Sequence, residues 1–232
     1  MTNFLAMSLA YKVVVLQLMV GEANFFARQL DLPCPKPIQV TRSFVRPPAF
    51  GFGGTLDTAQ FFFSFNDSGK LWKIVKTDAV IHNPQSWPEI KNTPTVIDTN
   101  GAYRLATQWL SRIDVDLAAL DRRCFAQVRQ QKFFDPAIPR TLGPLPTNAP
   151  MSTAPLFRIH WFDRAQTNYL IGEMAIDGLK KELLDWTLND TALSRRPPLV
   201  ITNAAELNGQ PDPIFKKLDQ RKDSERSRPK RL

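Results

Sequence analysis

The sequence predicts an α+β fold: two units packed in one chain, each a helix laid on an antiparallel sheet. Three observations carry that prediction. In Asn100–Ile113 the apolar residues Ala102, Leu105, Ala106, Trp109, Leu110 and Ile113 recur with helical spacing and draw one continuous stripe along an α-helix. Two hairpins rich in aromatic and β-branched residues, around Asp67-Ser68-Gly69 and Asp177-Gly178, supply sheet for such a stripe to lie on. The order of helix, proline-broken extended segments and hairpin then occurs twice along the chain.

Taken in order, Val13, Leu16, Val20, Ala23, Ala27 and Leu30 mark a first amphipathic helix, stopped near Leu32 by Pro33-Cys34-Pro35-Lys36-Pro37. The apolar run Val13–Val20 before Gly21-Glu22-Ala23 also has the outline of a signal peptide. The helical spacing runs straight through that supposed cleavage site, which favours the helix. Ile38–Val45 reads as a strand, and Pro47-Pro48 with Gly51-Phe52-Gly53-Gly54 as a break or bend. Phe61–Phe65 and Leu71–Val75 form the first hairpin, and residues 78–98 a connector crossing the surface. Thr99 or Asn100 is placed to cap the second helix, and Asp116 a short third one over 117–123. Residues 125–133 read as a strand, 135–155 as a proline-rich loop, and Leu156–Phe162 as a strand with Phe157, Ile159 and Trp161 facing away from Arg158 and His160. Tyr169–Ile176 and Lys181–Leu188 make the second hairpin. Leu199–Ile201 is a short last strand, and Asn203–Glu206 has the spacing of a capping box. The domain reading is therefore 13–98 as a first unit with its connector, 99–210 as a second unit with insert 135–155, and 211–232 as a basic, disordered tail.

Composition narrows the function classes. The 232 residues are long enough to bury a core, and 43% are hydrophobic. Of the net charge of +8, the segment Lys216–Leu232 supplies most, with eight Lys/Arg against three Asp/Glu. A body so nearly neutral makes nucleic acid an improbable partner except through the tail. Cys34 and Cys124 are too few for a disulfide scaffold or a zinc site. They are candidates for one disulfide in an oxidising compartment, or for two buried thiols. The longest apolar run is far short of a membrane-spanning helix.

The repeat extends to detail. Ala23-x-x-Phe26-Ala27-x-Gln29 matches Ala102-x-x-Leu105-Ala106-x-Gln108, and Asp67-Ser68-Gly69-Lys70-Leu71 matches Asp177-Gly178-Leu179-Lys180-Lys181. A helix on a sheet closed by a strand–Asp/Gly–Lys–strand hairpin resembles the PepSY and cystatin-like units of bacterial exported proteins. The chain is also similar to an uncharacterised bacterial family marked by EANFFA at Glu22–Ala27, DTNGAY-LATQWL at Asp98–Leu110 and SRRPPLVITNA at Ser194–Ala204. No activity attaches to that family. The PepSY resemblance implies an exported module that binds or inhibits without catalysis.

The chain is poor in reactive constellations. Only His82 and His160 are available as imidazole bases, one in the irregular connector and one alternating outward on a strand. No G-x-S-x-G elbow occurs. Asp114-Val115-Asp116 with Asp121 lacks the glycine and closing glutamate of a calcium loop, so helix capping explains it better. Gly51-Phe52-Gly53-Gly54 precedes a strand pattern instead of opening a helix, unlike a dinucleotide fingerprint. Glu182 and Asp185 read as solvated acids. Arg195 and Arg196, held by Pro197-Pro198, form the most pointed candidate binding site: two guanidiniums able to clamp a carboxylate or phosphate, or else a solvated turn. Phe50, Phe52 and Trp87 either rim a binding surface or tuck over sheet edges.

The expected function is a non-catalytic binding or structural module that presents antiparallel sheet to a peptide or protein partner, with no cofactor and no metal. Two alternatives belong to other classes: a binder of nucleic acid or an anionic surface through the tail, and an enzyme whose site the sequence does not reveal.

Overall fold

The computed structural model describes residues 2–46, 53–79, 81, 83–134 and 151–199. Its elements are α1 (Thr2–Gln29), β1 (Val40–Val45), β2 (Gly54–Thr58), β3 (Phe61–Phe65), β4 (Leu71–Lys76), α2 (Thr99–Arg112), α3 (Leu117–Arg123), β5 (Cys124–Phe134), β6 (Met151–Asp163), β7 (Leu170–Asp177) and β8 (Glu182–Leu188). The chain divides into two compact units, Met1–Val14 with Ile201–Leu232, and Val15–Val200. All eight strands belong to the second unit and form one sheet in the order β1-β2-β3-β4-β8-β7-β6-β5, every neighbouring pair antiparallel.

The fold is thus α+β with antiparallel sheet, and the ribbons are joined. β4 pairs with β8 through Lys73↔Thr187, Ile74↔Trp186 and Val75↔Asp185, so the sheet runs unbroken from one edge to the other. Each half is a four-stranded meander whose last strand lies at the centre of the sheet.

Alternation assigns one face to the core. Phe61, Phe63 and Phe65 of β3 are fully buried, as are Phe157 and Ile159 of β6 and Trp186 of β8. Burying each such side chain contributes about 2 kcal/mol. Helix α1 lies over the middle of this face: the Phe26 and Trp186 rings are 5.4 Å apart. Met19 presses on β2 so closely that a β-carbon at Gly54 would lie 2.8 Å from its methyl group. The buried line of α1 within this unit is Val15, Met19, Ala23, Phe26 and Ala27, continued by Leu30 just past its end. Of the stripe the sequence predicts, Ala23, Ala27 and Leu30 are buried, whereas Val13, Leu16 and Val20 are half-buried flanks. Gly21 falls on the exposed side with no neighbour near its α-carbon, and the helix passes through Gly21-Glu22-Ala23 unbroken.

Helix α2 lies on β5 and β6 and buries Ala102, Ala106, Trp109 and Leu110, as its stripe predicts. Its cap is neither Thr99 nor Asn100. Asp98 takes that role, its Oδ1 accepting a hydrogen bond from the Gly101 N–H at 2.6 Å. Asp116 caps α3 as expected, accepting from the Ala119 N–H at 2.9 Å.

Two expectations about strands change. Gly54–Thr58 is a strand, although the sequence reading sets Gly54 in a break and names no strand before Phe61; pairing to β1 and β3 holds it, with Gly54 and Leu56 buried. Strand β6 begins at Met151, inside the segment read as a loop. Pro155 is tolerated there because its main chain faces the turn beyond β7: its carbonyl accepts from the Gly178 N–H at 2.7 Å, and the Gly178 carbonyl that a residue-155 N–H would meet is taken by the Val96 N–H at 2.9 Å. The connector does cover the surface, and it does so over a second apolar cluster: Ile81, Trp87 and Ile90 pack on Phe133, Leu156 and Leu184. Trp87 stacks 5.5 Å from Phe133 and donates its ring N–H to the Ile81 carbonyl. Of the predicted aromatic rim, Phe50 and Phe52 lie outside the described residues, as do the Pro47-Pro48 and Gly51-Phe52 breaks, residues 135–150, most of the 199–201 strand, the Asn203–Glu206 turn and the 211–232 tail.

Candidate functional site

The predicted arginine pair is the first place to look. Arg196 does form a two-toothed clamp, and the carboxylate in it is the protein's own. Its Nε donates to Glu22 Oε1 at 2.6 Å and its Nη2 to Glu22 Oε2 at 2.5 Å. The guanidinium lies 3.6 Å from the centroid of the Phe25 ring, and Nη1 reaches Asp114 at 3.4 Å. Both partners are well shielded, with side-chain exposures of 20% and 11%. The hydrogen bonds to Glu22 push the Arg196 pKa above its ordinary value against the opposing effect of burial. Arg195 pairs with Asp116 Oδ2 at 2.9 Å, and its backbone N–H donates to the Asp114 carbonyl. The Ala119 N–H and then the Arg195 guanidinium hold the Asp116 carboxyl below its usual range. The arrangement ties the residues after the last 3-10 turn to α1 and to the α2–α3 corner. It also brings two of the sequence motifs together, Glu22-Ala-Asn-Phe25-Phe26 and Ser194-Arg-Arg196.

Cys34 and Cys124 are free thiols, half-buried and buried, and burial raises the pKa of each. His82 lies outside the described residues. His160 stands on the sheet face away from the helices, with Nε2 3.7 Å from Glu173 Oε2. Burial lowers its pKa, Glu173 pulls the other way, and Arg158 and Arg129 add to the lowering.

Sequence reasoning missed the site around His160. Side by side across the sheet run Lys73, Thr187, Glu173 and His160, each the direct cross-strand neighbour of the next. The adjacent row is Val75, Asp185, Ala175 and Arg158. Asp185 is not the solvated acid that its sequence setting suggests. β8 is a central strand, flanked by β4 and β7, so its neighbours shield residues on both faces. Burial first, and the nearby Glu173 second, raise the Asp185 pKa to about 6, while Lys73, Arg158 and the Trp186 N–H oppose the rise. Its Oδ1 is buried without a hydrogen-bond partner, and so is the Thr187 hydroxyl, whose residue is only 6% exposed. Such a site can hold or release a proton near pH 6. Among the described residues no three His, Cys, Asp or Glu side chains gather as a metal site.

The sheet's outer edges differ. β5 carries Gln127, Arg129, Gln130, Gln131 and Lys132, the polar dress of a guarded edge. β1 is the opposite terminal strand, and Thr41, Arg42, Ser43 and Phe44 are exposed on both faces, Phe44 by 56%. The Arg46 N–H donates to the Gly53 carbonyl, which sets the phase of the β1–β2 ladder. With Arg42↔Asp57 and Phe44↔Thr55 as its bonded pairs, the N–H and C=O groups of Ser43 and Val45 point outward.

Among the described residues no helix is long and apolar enough to cross a membrane. Comparison of the chain with protein-family models, with curated proteins and with solved structures finds no match.

Proposed function

We propose that this protein is a non-catalytic binding module that takes up an extended segment of a protein partner by strand addition at β1. The observation that carries the reading is the edge itself: a terminal strand exposed on both faces, presenting the outward backbone groups of Ser43 and Val45 beside an exposed Phe44. The shielding of Arg196 by Glu22 favours a structural role for the arginine pair over anion capture. The two meanders, each preceded by a helix, favour descent from a duplicated helix-on-sheet unit of the PepSY or cystatin-like kind. Membership of the family marked by EANFFA and SRRPPLVITNA, and an exported location, belong to the same reading.

The test is site-specific photo-crosslinking in the cell of origin, with the reactive amino acid at position 43 on β1 and at position 129 on β5. The reading expects discrete protein adducts from position 43, lost on Val45→Pro, which removes an outward N–H. Equal adducts from both positions, or none from position 43, would overturn it.

A further inference from the structure

We infer that residues 81–97 form a strap over the outer face of the sheet, and that ionisation of Asp185 at its margin loosens it. The strap is closed in acid and opens toward neutral pH. This device is independent of the β1 edge.

The construction of β8 puts Asp185 beside the strap's apolar seat. Ala175 pairs with Asp185 and Ile176 with Leu183, so Leu184 is an extra residue and the strand bulges there. The bulge sets Leu184 and Asp185 together on the outer face, whereas Trp186 turns to the helix side against Phe26. Ala175 and Leu184 both belong to the cluster that Ile81, Trp87 and Ile90 cover. Asp185 therefore borders that cluster twice, along its own strand and across the ladder. The chain enters the strap from β4, whose Val75 is the other cross-strand neighbour of Asp185. Beyond the cluster the strap is tied to the sheet through its backbone: the Asn92 N–H donates to the Thr153 carbonyl at 2.8 Å, and the Val96 N–H to the Gly178 carbonyl at 2.9 Å.

A carboxylate in this place is poorly solvated. Oδ1 is out of water and has no hydrogen-bond partner. Glu173 on β7 repels it, and Lys73 on β4 and Arg158 on β6 offset the charge without bonding that oxygen. Asp78, just before the strap, and Glu89 and Lys91 within it are exposed. Protonated, the Asp185 carboxyl is neutral and compatible with its apolar neighbours. Ionised, it draws water to the margin of a cluster that the strap keeps dry. The closed state holds the proton with a pKa of about 6, and a hydrated carboxyl returns toward 3.8. Closure is therefore favoured most below about pH 4 and loses ground as pH rises to about 6. Opening bares Phe133, Leu156 and Leu184 of the cluster.

Native-state hydrogen exchange of the full chain, followed by NMR at pH 4.5 and pH 7 and corrected for intrinsic rates, tests this. The Asn92 and Val96 amides should exchange by a local opening: less protected than amides of β3 and β7, and insensitive to low urea. Their protection should fall about tenfold between the two pH values. The Arg46 amide, bonded to the Gly53 carbonyl at the far edge, serves as the unaffected control. Asp185→Asn should flatten the response, and Glu173→Gln should move it to lower pH by removing the repelling neighbour. His82→Gln and His160→Gln should keep it, which separates Asp185 from the two imidazoles. A flat wild-type profile overturns the inference, as does a response that survives Asp185→Asn or disappears with either histidine. Strap amides as protected as those of β3 and β7 overturn it too, since the strap would then open only with the whole fold.

Discussion

Glu22 and Arg196, 174 positions apart, form a two-bond ion pair roofed by the Phe25 ring. It clips the chain following β8 to α1, and the 3.4 Å contact of Arg196 with Asp114 adds the α2–α3 corner to the same joint. Both charges are largely out of water, so neither can lose its partner cheaply.

Glu22→Gln should therefore destabilise the fold by about 3 kcal/mol, since it strands the guanidinium. That corresponds to a fall in Tm of roughly 10 °C for a chain of this size. Arg196→Lys keeps the charge but loses the fork and the stacking on Phe25, and it should recover only part of the loss. Thermal unfolding followed by circular dichroism checks both; a Tm within a degree of wild type for Glu22→Gln would refute the joint.

The sheet face predicts a pH dependence. The folded Asp185 pKa, about 6, stands above the ordinary aspartate value of 3.8, so between those limits the folded state holds more protons than the unfolded one. The contribution of this group to stability is therefore greatest in acid and declines as pH rises from about 4 to about 6, by on the order of 2 kcal/mol. Asp185→Asn should remove that decline. Urea unfolding of both proteins at pH 4.5 and pH 7 measures it, and parallel wild-type and variant profiles would show that Asp185 does not titrate in this window.

Thr187 offers the simplest check on the unpaired polar atoms. Its hydroxyl is buried on β8 with no hydrogen-bond partner, so Thr187→Val removes a group that costs free energy to bury. The variant should be neutral or more stable, by up to about 1 kcal/mol. A loss of that size would mean that the hydroxyl has a partner in solution.

The helix cap separates two readings of one segment. Asp98→Ala should cost about 1 kcal/mol through loss of the Oδ1 bond to the Gly101 N–H, and Asn100→Ala much less. Equal effects in chemical denaturation would return the cap to ambiguity.

Much of the architecture was readable along the chain because its signals are local. The stripe of α2, the Asp116 cap, the turn at Asp67-Ser68-Gly69 and the alternation of Phe157, Ile159 and Trp161 each depend on residues a few places apart, and each stands in the structure. Gly54–Thr58 escaped because a strand held by two neighbours needs little propensity of its own. Pro155 misled because its missing N–H faces Gly178, whose carbonyl is already taken by the distant Val96 N–H. Gly178 shows the same limit. It sits at a tight turn, and beyond that its backbone is wedged where a β-carbon would meet the Phe157 ring at 2.7 Å, a contact no short motif announces.

The site was less readable still. Arg195 and Arg196 stood out for charge and for the prolines behind them, but nothing near them in the chain says that Glu22, Asp114 and Asp116 wait as partners. Asp185 looked like an ordinary surface acid between two apolar residues until β8 took a central place in the sheet.

By itself, then, the sequence determined which stretches are helix, which are hairpin, and that both kinds meet around an aromatic core, because periodicity and turn chemistry act between near neighbours. The tertiary structure alone decided that β4 joins β8 to make one sheet, that Glu22 answers Arg196, that Asp185 is buried, and that β1 is left at the rim. Those outcomes depend on contacts between residues far apart in the chain, and burial and pairing at such range are properties of the assembled sheet.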